Sequence, residues 1–297
     1  MLHTILQLSK AVRQVQQDQP LSQRRFTRSS SRAGGRFRLL PVLLFAIYGL
    51  YYYFSNQGEV PLTGRQQLVD ISREQEAALG LQSYQQILAQ SELVRSGAEY
   101  AQVREIAARI AAAASDVDPG FDWEVSLIRS DQVNAFALPG GKLAVYTGIL
   151  PVAENVDGLA VIMGHEIAHA IARHGAERMA YQKLTQLGSL AAGMSVSGMD
   201  PAQQQMLMAA LGAGAQYGVL LPFSREHESE ADYLGLIFLA RACYDPTEAP
   251  ALWQRMSAGG GQRPPEFMST HPSGETRIRQ FQQWMPEALE IYRQRCQ

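Results

Sequence analysis

The segment Gly164-His165-Glu166-Ile167-Ala168-His169 sets two imidazoles four residues apart, with a carboxylate beside the first. On a helix, positions i and i+4 share a face, so both rings project together. Two nitrogen donors so placed suit a tetrahedral zinc ion. Glu166, rotated about 100° from His165, can reach a water in the remaining position without binding the metal. Leu159, Val161, Ile162, Met163, Ile167, Ala168 and Ile171 mark this helix as buried. Two histidines and a glutamate are costly there unless they have partners. The same pattern also arises by chance on structural helices, so a third ligand has to decide.

The longer HExxH continuation of the metzincins would need Gly and His where Ala172 and Gly175 stand, and His174 is one residue out of that register. A thermolysin-like glutamate would fall near Gly188, which has no acid beside it. The acidic stretch from Ser224 to Gly235 is better placed, because Glu228 and Asp232 are four apart and share a helical face. Glu228 can bind the metal while Asp232 accepts a hydrogen bond from the far nitrogen of a ligand histidine. By helical phase Glu226, His227 and Glu230 point elsewhere; Glu226 and Glu230 read as solvated charges, and His227, in a neighbouring phase, as a rival ligand.

The elements that must position these groups follow from periodicity. Helical patterns run over about 73–92 and 98–115, the second marked by Ile106 and Ile110, and a long helix over about 156–174. Residues 122–130 alternate as a strand, and Asn134 to Tyr146 reads as two short strands around Gly140-Gly141. A linker precedes residue 73. Residues 184–221 are poor in charge. Within them 206–223 could be a second membrane span, but Gly212, Gly214, Gly218 and Pro222 favour a buried core helix.

Charge is uneven. Residues 1–38 carry eight Lys/Arg and one acid, Asp18, which leaves the rest at −9. No basic cluster recurs in the folded part, so a nucleic-acid partner is not expected. A charge-free run, Leu39 to Phe54, follows the basic tail and ends in Tyr51, Tyr52 and Tyr53. It reads as an uncleaved transmembrane anchor, short by the usual measure, with the basic end held inside. The domain plan is therefore a tail over 1–38, an anchor over 39–54, a linker over 55–72 and a catalytic domain over 73–297. Cys243 and Cys296 make no disulfide framework; in an oxidising compartment they could pair with each other.

Four segments in order, NAFALPGG (134–141), GHEIAHAIARH (164–174), SREHESEAD (224–232) and STHPSGETRI (269–278), resemble the HtpX-like and CAAX-prenyl-protease-like family of membrane-associated gluzincins. With the Thr63-Gly-Arg65 near the anchor, the chain is similar to the Oma- and LoiP-type quality-control members. The resemblance implies a mainly helical α+β zincin (gluzincin) domain with a small sheet, after one transmembrane helix. It implies one Zn2+ on His165, His169 and Glu228, with Asp232 behind and Glu166 as general base. His271 and Arg277 are candidate oxyanion donors, and His271 alternatively a fourth ligand that closes the site until substrate displaces it. Asn134, Ala135, Phe136 and Ala137 would offer a strand edge to a peptide. The expected activity is a metalloendopeptidase acting on misfolded or misassembled envelope proteins. The competing reading is a zinc-binding chaperone or scaffold. The expected location is an inner membrane with the domain in the periplasm, the alternative the mitochondrial inner membrane; a homo-oligomer is left open.

Overall fold

The computed structural model describes residues 38–216, 220–259, 267, 271 and 275–296. The basic tail expected over 1–38 lies outside them except for Arg38. In chain order the elements are α1 (Leu39–Ser55), β1 (Gln57–Glu59), β2 (Gln66–Leu68), α2 (Arg73–Ala89), β3 (Leu93–Val94), α3 (Ala98–Ala113), β4 (Glu124–Ile128), β5 (Ala135–Leu138) and β6 (Lys142–Tyr146). A helical half follows: α4 (Leu150–Ala153), α5 (Val156–Ile171), α6 (His174–Val196), α7 (Pro201–Ala215), α8 (Leu221–Arg241), α9 (Glu248–Gly259) and α10 (Glu275–Cys296). The mainly helical α+β class is the one expected from the sequence.

Strand order in the four-stranded sheet is β3-β4-β6-β5, with β4 and β6 parallel and β5 and β6 antiparallel. The β5–β6 turn uses Gly140 and Gly141, both at φ 81°, a backbone region that side chains rarely adopt. β5 therefore lies at the sheet edge, paired only with β6 and in contact with α5.

Helix α5 starts at Asn155, whose side chain accepts from Gly158 N at 2.7 Å, the usual N-cap device. It is buried along nearly its whole length and packs against α8. The two backbones cross at a glycine pair. A Cβ on Gly235 would stand 3.0 Å from His165 N and 3.1 Å from Gly164 C, and one on Gly164 would stand 3.0 Å from Leu239 Cδ1. The helix is shorter than the 156–174 reading. Arg173 turns to a left-handed φ of 59°, held by Glu76 Oε2 (2.7 Å) and Ile71 O (2.9 Å), and α6 begins at His174. Cys243 and Cys296 form a disulfide that ties the end of α10 to the segment after α8.

Two expectations need correction. The segment read as a linker folds into the β1–β2 hairpin, registered Gln57 to Leu68. Residues 206–223 were expected as buried core helix, but the helix that carries their described N-terminal part, α7, has no buried residue and packs only in part, against α6. Helix α1 forms where the anchor was expected, at 17 residues; among the described residues no helix is long and apolar enough to cross a membrane.

The glycine crossing generates a stability prediction. Gly235→Val drives methyl groups into the α5 backbone and should lower unfolding free energy by about 1–3 kcal/mol in denaturant melts. Gly193→Ala, in a helix position with open space, should be neutral or stabilise by up to about 1 kcal/mol. Equal effects at both positions would remove the crossing as the reason for the glycine.

Candidate metal centre

The crossing brings the α5 histidines against the acidic face of α8. His165 Nε2 and His169 Nε2 are 3.0 Å apart, and Glu228 Oε2 and Oε1 lie 3.4 Å from each respectively. His271 adds a fourth donor: its Nδ1 is 3.1 Å from His165 Nε2 and 2.9 Å from Glu228 Oε2. Donor atoms of His165, His169, Glu228 and His271 all lie within 4.8 Å of one another. A tetrahedral ion with bonds of about 2.1 Å places its ligand atoms about 3.4 Å apart, so these spacings match the edges of such a polyhedron. The donor set, three imidazoles and a carboxylate, suits a divalent metal ion.

Glu166 is also buried and stands beside the cluster rather than in it. Its Oε2 accepts from Ala137 N of β5 at 3.3 Å, while Oε1 has no hydrogen-bond partner among the described residues and lies 3.4 Å from His271 Nε2. Burial raises its carboxyl above the ordinary glutamate range. A buried carboxylate oxygen with an open lone pair beside a donor cluster suits proton transfer.

Each α5 histidine has support behind it. His165 Nδ1 donates to Asp232 Oδ1 at 3.0 Å. Arg277 donates to both Asp232 oxygens at 2.6 Å, and its guanidinium lies 3.6 Å from the Trp253 ring centroid. Arg277, a candidate oxyanion donor, makes its shortest bonds to Asp232, a buried carboxylate that needs a counter-charge, and its Nη1 lies 3.3 Å from Glu228 Oε2. Asp232 stands behind His165, on the side away from the donor cluster. Behind His169 stands His174, whose Nδ1 is 2.7 Å from His169 Nδ1. His174 Nε2 is 3.0 Å from Glu230 Oε2.

Two of the α8 residues differ from expectation. Glu230, read as solvated, is buried and accepts from Arg65 Nε at 2.8 Å and from Thr63 Oγ1. His227, the rival ligand, points away from the cluster, 2.9 Å from Glu177 Oε2, and stacks on His174 at 4.1 Å. Glu230 is covered by the loop between β1 and β2, and His227 by α6. Glu226 is exposed, as expected. Arg65, Glu177 and His174 were not identified from sequence as site residues; Thr63-Gly-Arg65 signalled the first, the end of the 164–174 segment signalled His174, and Glu177 had no signal.

Electrostatics agree with a cation site. Burial opposes ionisation of Glu228, but the surrounding His169, His165 and His271 hold its carboxyl far below the ordinary range. Burial disfavours a charged His165, yet Asp232 and Glu228 outweigh it and raise its pKa to about 9; desolvation pushes His169 down to about 3. A proton on His165 thus supplies the positive charge that the carboxylates favour. Its folded pKa lies above neutral, so a cation bound at Nε2 must displace that proton at any pH below about 9. Zinc uptake at pH 7.5 should release about one proton, and affinity should fall roughly tenfold per pH unit as pH drops. Titration calorimetry in buffers of different ionisation enthalpy checks this; no release at pH 7.5 would contradict it.

Residues 98–285 match the family description Peptidase family M48. The chain is 37% identical over 245 residues to a mitochondrial metalloendopeptidase OMA1 of Schizosaccharomyces pombe, covering 81% of this chain and 70% of that protein. It is 30% identical over 264 residues to the human mitochondrial metalloendopeptidase OMA1, covering 85% of this chain and 50% of that protein. It is 31% identical over 182 residues to a beta-barrel assembly-enhancing protease of Escherichia coli, covering 59% of this chain and 37% of that protein. The chain belongs to peptidase family M48, and it is a metalloendopeptidase.

Proposed function

We propose that the chain hydrolyses peptide bonds of misfolded or misassembled proteins at a membrane, with zinc held by His165, His169 and Glu228 and with Glu166 as general base. The observation that carries this reading is the donor cluster with an open Glu166 oxygen at its side and an edge strand behind it. When bound, zinc supplies Lewis acidity, acidifying water and polarising the scissile carbonyl. Glu166 takes the proton from the attacking water on Oε1 and returns it to the amide nitrogen as the C–N bond breaks. Its raised pKa suits a group that must both take and give a proton near neutrality. The Ala137 N–H steadies Oε2, so the other oxygen stays turned toward the reaction. Asn134 to Ala137 line the sheet edge, where main-chain pairing holds an extended peptide with little demand on its side chains. That economy of recognition supports unfolded substrates.

His271 completes the donor set in the resting chain, and a closed set leaves no position for water. We read it as a plug displaced by substrate rather than as an oxyanion donor. Casein degradation by the full chain in detergent tests both roles. Glu166→Gln should cut turnover about 10²–10⁴-fold while zinc content holds, chelator should abolish it, and His271→Ala should raise it. Unchanged turnover in Glu166→Gln would instead favour a chaperone or scaffold, and a drop in His271→Ala would favour the oxyanion role.

The membrane part of the reading rests on one face. Helix α1 runs antiparallel to α6: Arg38 N donates to Ser195 O at 2.9 Å, and Phe45 packs at Gly188. Leu40, Leu43, Leu44, Ile47 and Leu50 of α1 are exposed, as are Leu190 and Met194 of α6 and Met206 and Leu211 of α7. From Leu184 to Ser224 the one charged residue is Asp200. A short helix with no buried residue is marginal in water, and an Arg-rich tail before α1 is complementary to an anionic lipid surface. The disulfide supports an oxidising compartment, as on the periplasmic side of a bacterial inner membrane or its mitochondrial counterpart. The full chain should float with anionic liposomes, and the triple substitution Leu43→Glu, Leu190→Glu, Met206→Glu should release it with the fold retained. Flotation unaffected by the three charges would remove this face as the lipid contact.

A further inference from the structure

Outside the four donors, the densest buried polar cluster among the described residues joins α6, α8 and the β1–β2 loop. Glu177 accepts from Arg65 through both oxygens (3.0 and 2.7 Å) and from Leu68 N at 3.2 Å, and it meets His227 Nε2 at 2.9 Å. The same guanidinium reaches Glu230 through Nε at 2.8 Å. His227 lies flat on His174, the planes 11° apart. None of these side chains belongs to the donor set, and the proposed proton transfers use none of them. Burying two carboxylates, a guanidinium and two imidazoles is costly, so their arrangement calls for a role.

The pairings define a direction. His169 turns Nε2 to the donor cluster, which leaves its Nδ1–H to donate to His174 Nδ1 at 2.7 Å. His174 Nδ1 then accepts, so its own proton sits on Nε2 and is donated to Glu230 at 3.0 Å. Thr63 and Arg65 fix the Glu230 carboxylate from the far side. We propose that His174 is a positioning residue for the metal centre, a relay that couples His169 to Glu230 and makes the Thr63–Arg65 loop the outer clamp of one ligand. His165 has a carboxylate directly behind it, whereas His169 reaches its carboxylate through a second imidazole. The relay needs the break after α5: with Arg173 left-handed, residue 174 folds back onto 169 instead of continuing around the helix.

This inference rests on the zinc-centre reading, and the experiment separates the two. The full chain in detergent is stripped of metal, and zinc affinity is measured by competition with a chromogenic chelator. Glu228→Ala must lose zinc; if it retains wild-type affinity, the zinc-centre reading itself falls. His174→Phe, which keeps the ring shape without its nitrogens, should weaken zinc 10–100-fold, and His174→Gln, with an acceptor and a donor, should recover part of that loss. Arg65→Met should weaken zinc several-fold in the wild-type background and have no further effect beside His174→Phe. Additive losses in the double variant, or wild-type affinity in His174→Phe while Glu228→Ala loses zinc, would overturn the relay alone. If His174→Phe does not fold, Glu230→Leu takes its place in the same cycle with the same expected non-additivity.

Discussion

The close crossing of α5 over α8 is the constraint on which the centre depends. Gly164 and Gly235 let the two backbones approach until a Cβ on either would crowd its neighbour. At that distance the imidazoles of His165 and His169 meet the carboxylates of Glu228 and Asp232 directly. A wider crossing would put about a side chain's thickness between donors that must share one ion. Packing and chemistry are therefore one requirement here: the glycines exist for what stands next to them in the chain.

Bringing those groups together creates a charge problem that the rest of the domain answers. Asp232 is answered by Arg277, which also covers Trp253, and Glu177 and Glu230 are answered by one guanidinium, Arg65. Glu228 has Arg277 Nη1 at 3.3 Å and the ring nitrogens around it. Truncating one member of such a buried pair strands the other, typically at a cost of about 3–5 kcal/mol. Helix α10 thus contributes a cation, and the disulfide at its end ties that cation's helix to the segment after α8.

Much of this was legible in the sequence. The i, i+4 spacing gave the two α5 histidines a common face, and the same spacing gave Glu228 and Asp232 theirs; the structure brings all four together. The sheet-edge strand and its Gly-Gly turn also follow from local pattern. What local pattern could not supply was the identity of the neighbours. Helical phase put Glu230 and His227 away from the cluster, which is true, but not that Arg65 and Glu177 wait on that side. Arg277 could be placed near the site by motif, yet its choice of Asp232 over the reacting region depends on which carboxylate is buried without a cation. Apolar composition made 206–223 resemble core, because periodicity cannot tell a helix covered by protein from one covered by something else.

The β1–β2 hairpin connects these regions physically. Arg65 follows the last residue of α1, Ser55, by ten positions, and the same short segment carries Leu68, which packs with Tyr52 of α1 and Ala180 of α6. Arg65 in turn grips Glu177 of α6 and Glu230 of α8, each through buried, charge-assisted bonds. An element this small has no core of its own and keeps its shape only through those contacts. Its position is therefore set jointly by α1, α6 and α8. Tyr52 of α1 packs on Leu68, and from Arg65 in the same segment hydrogen bonds run through Glu230 and His174 to the far nitrogen of His169. The guanidinium is a rigid fork bonded to two carboxylates at once, so it ties α6 to α8 at a single point beside the His174–Glu230 bond.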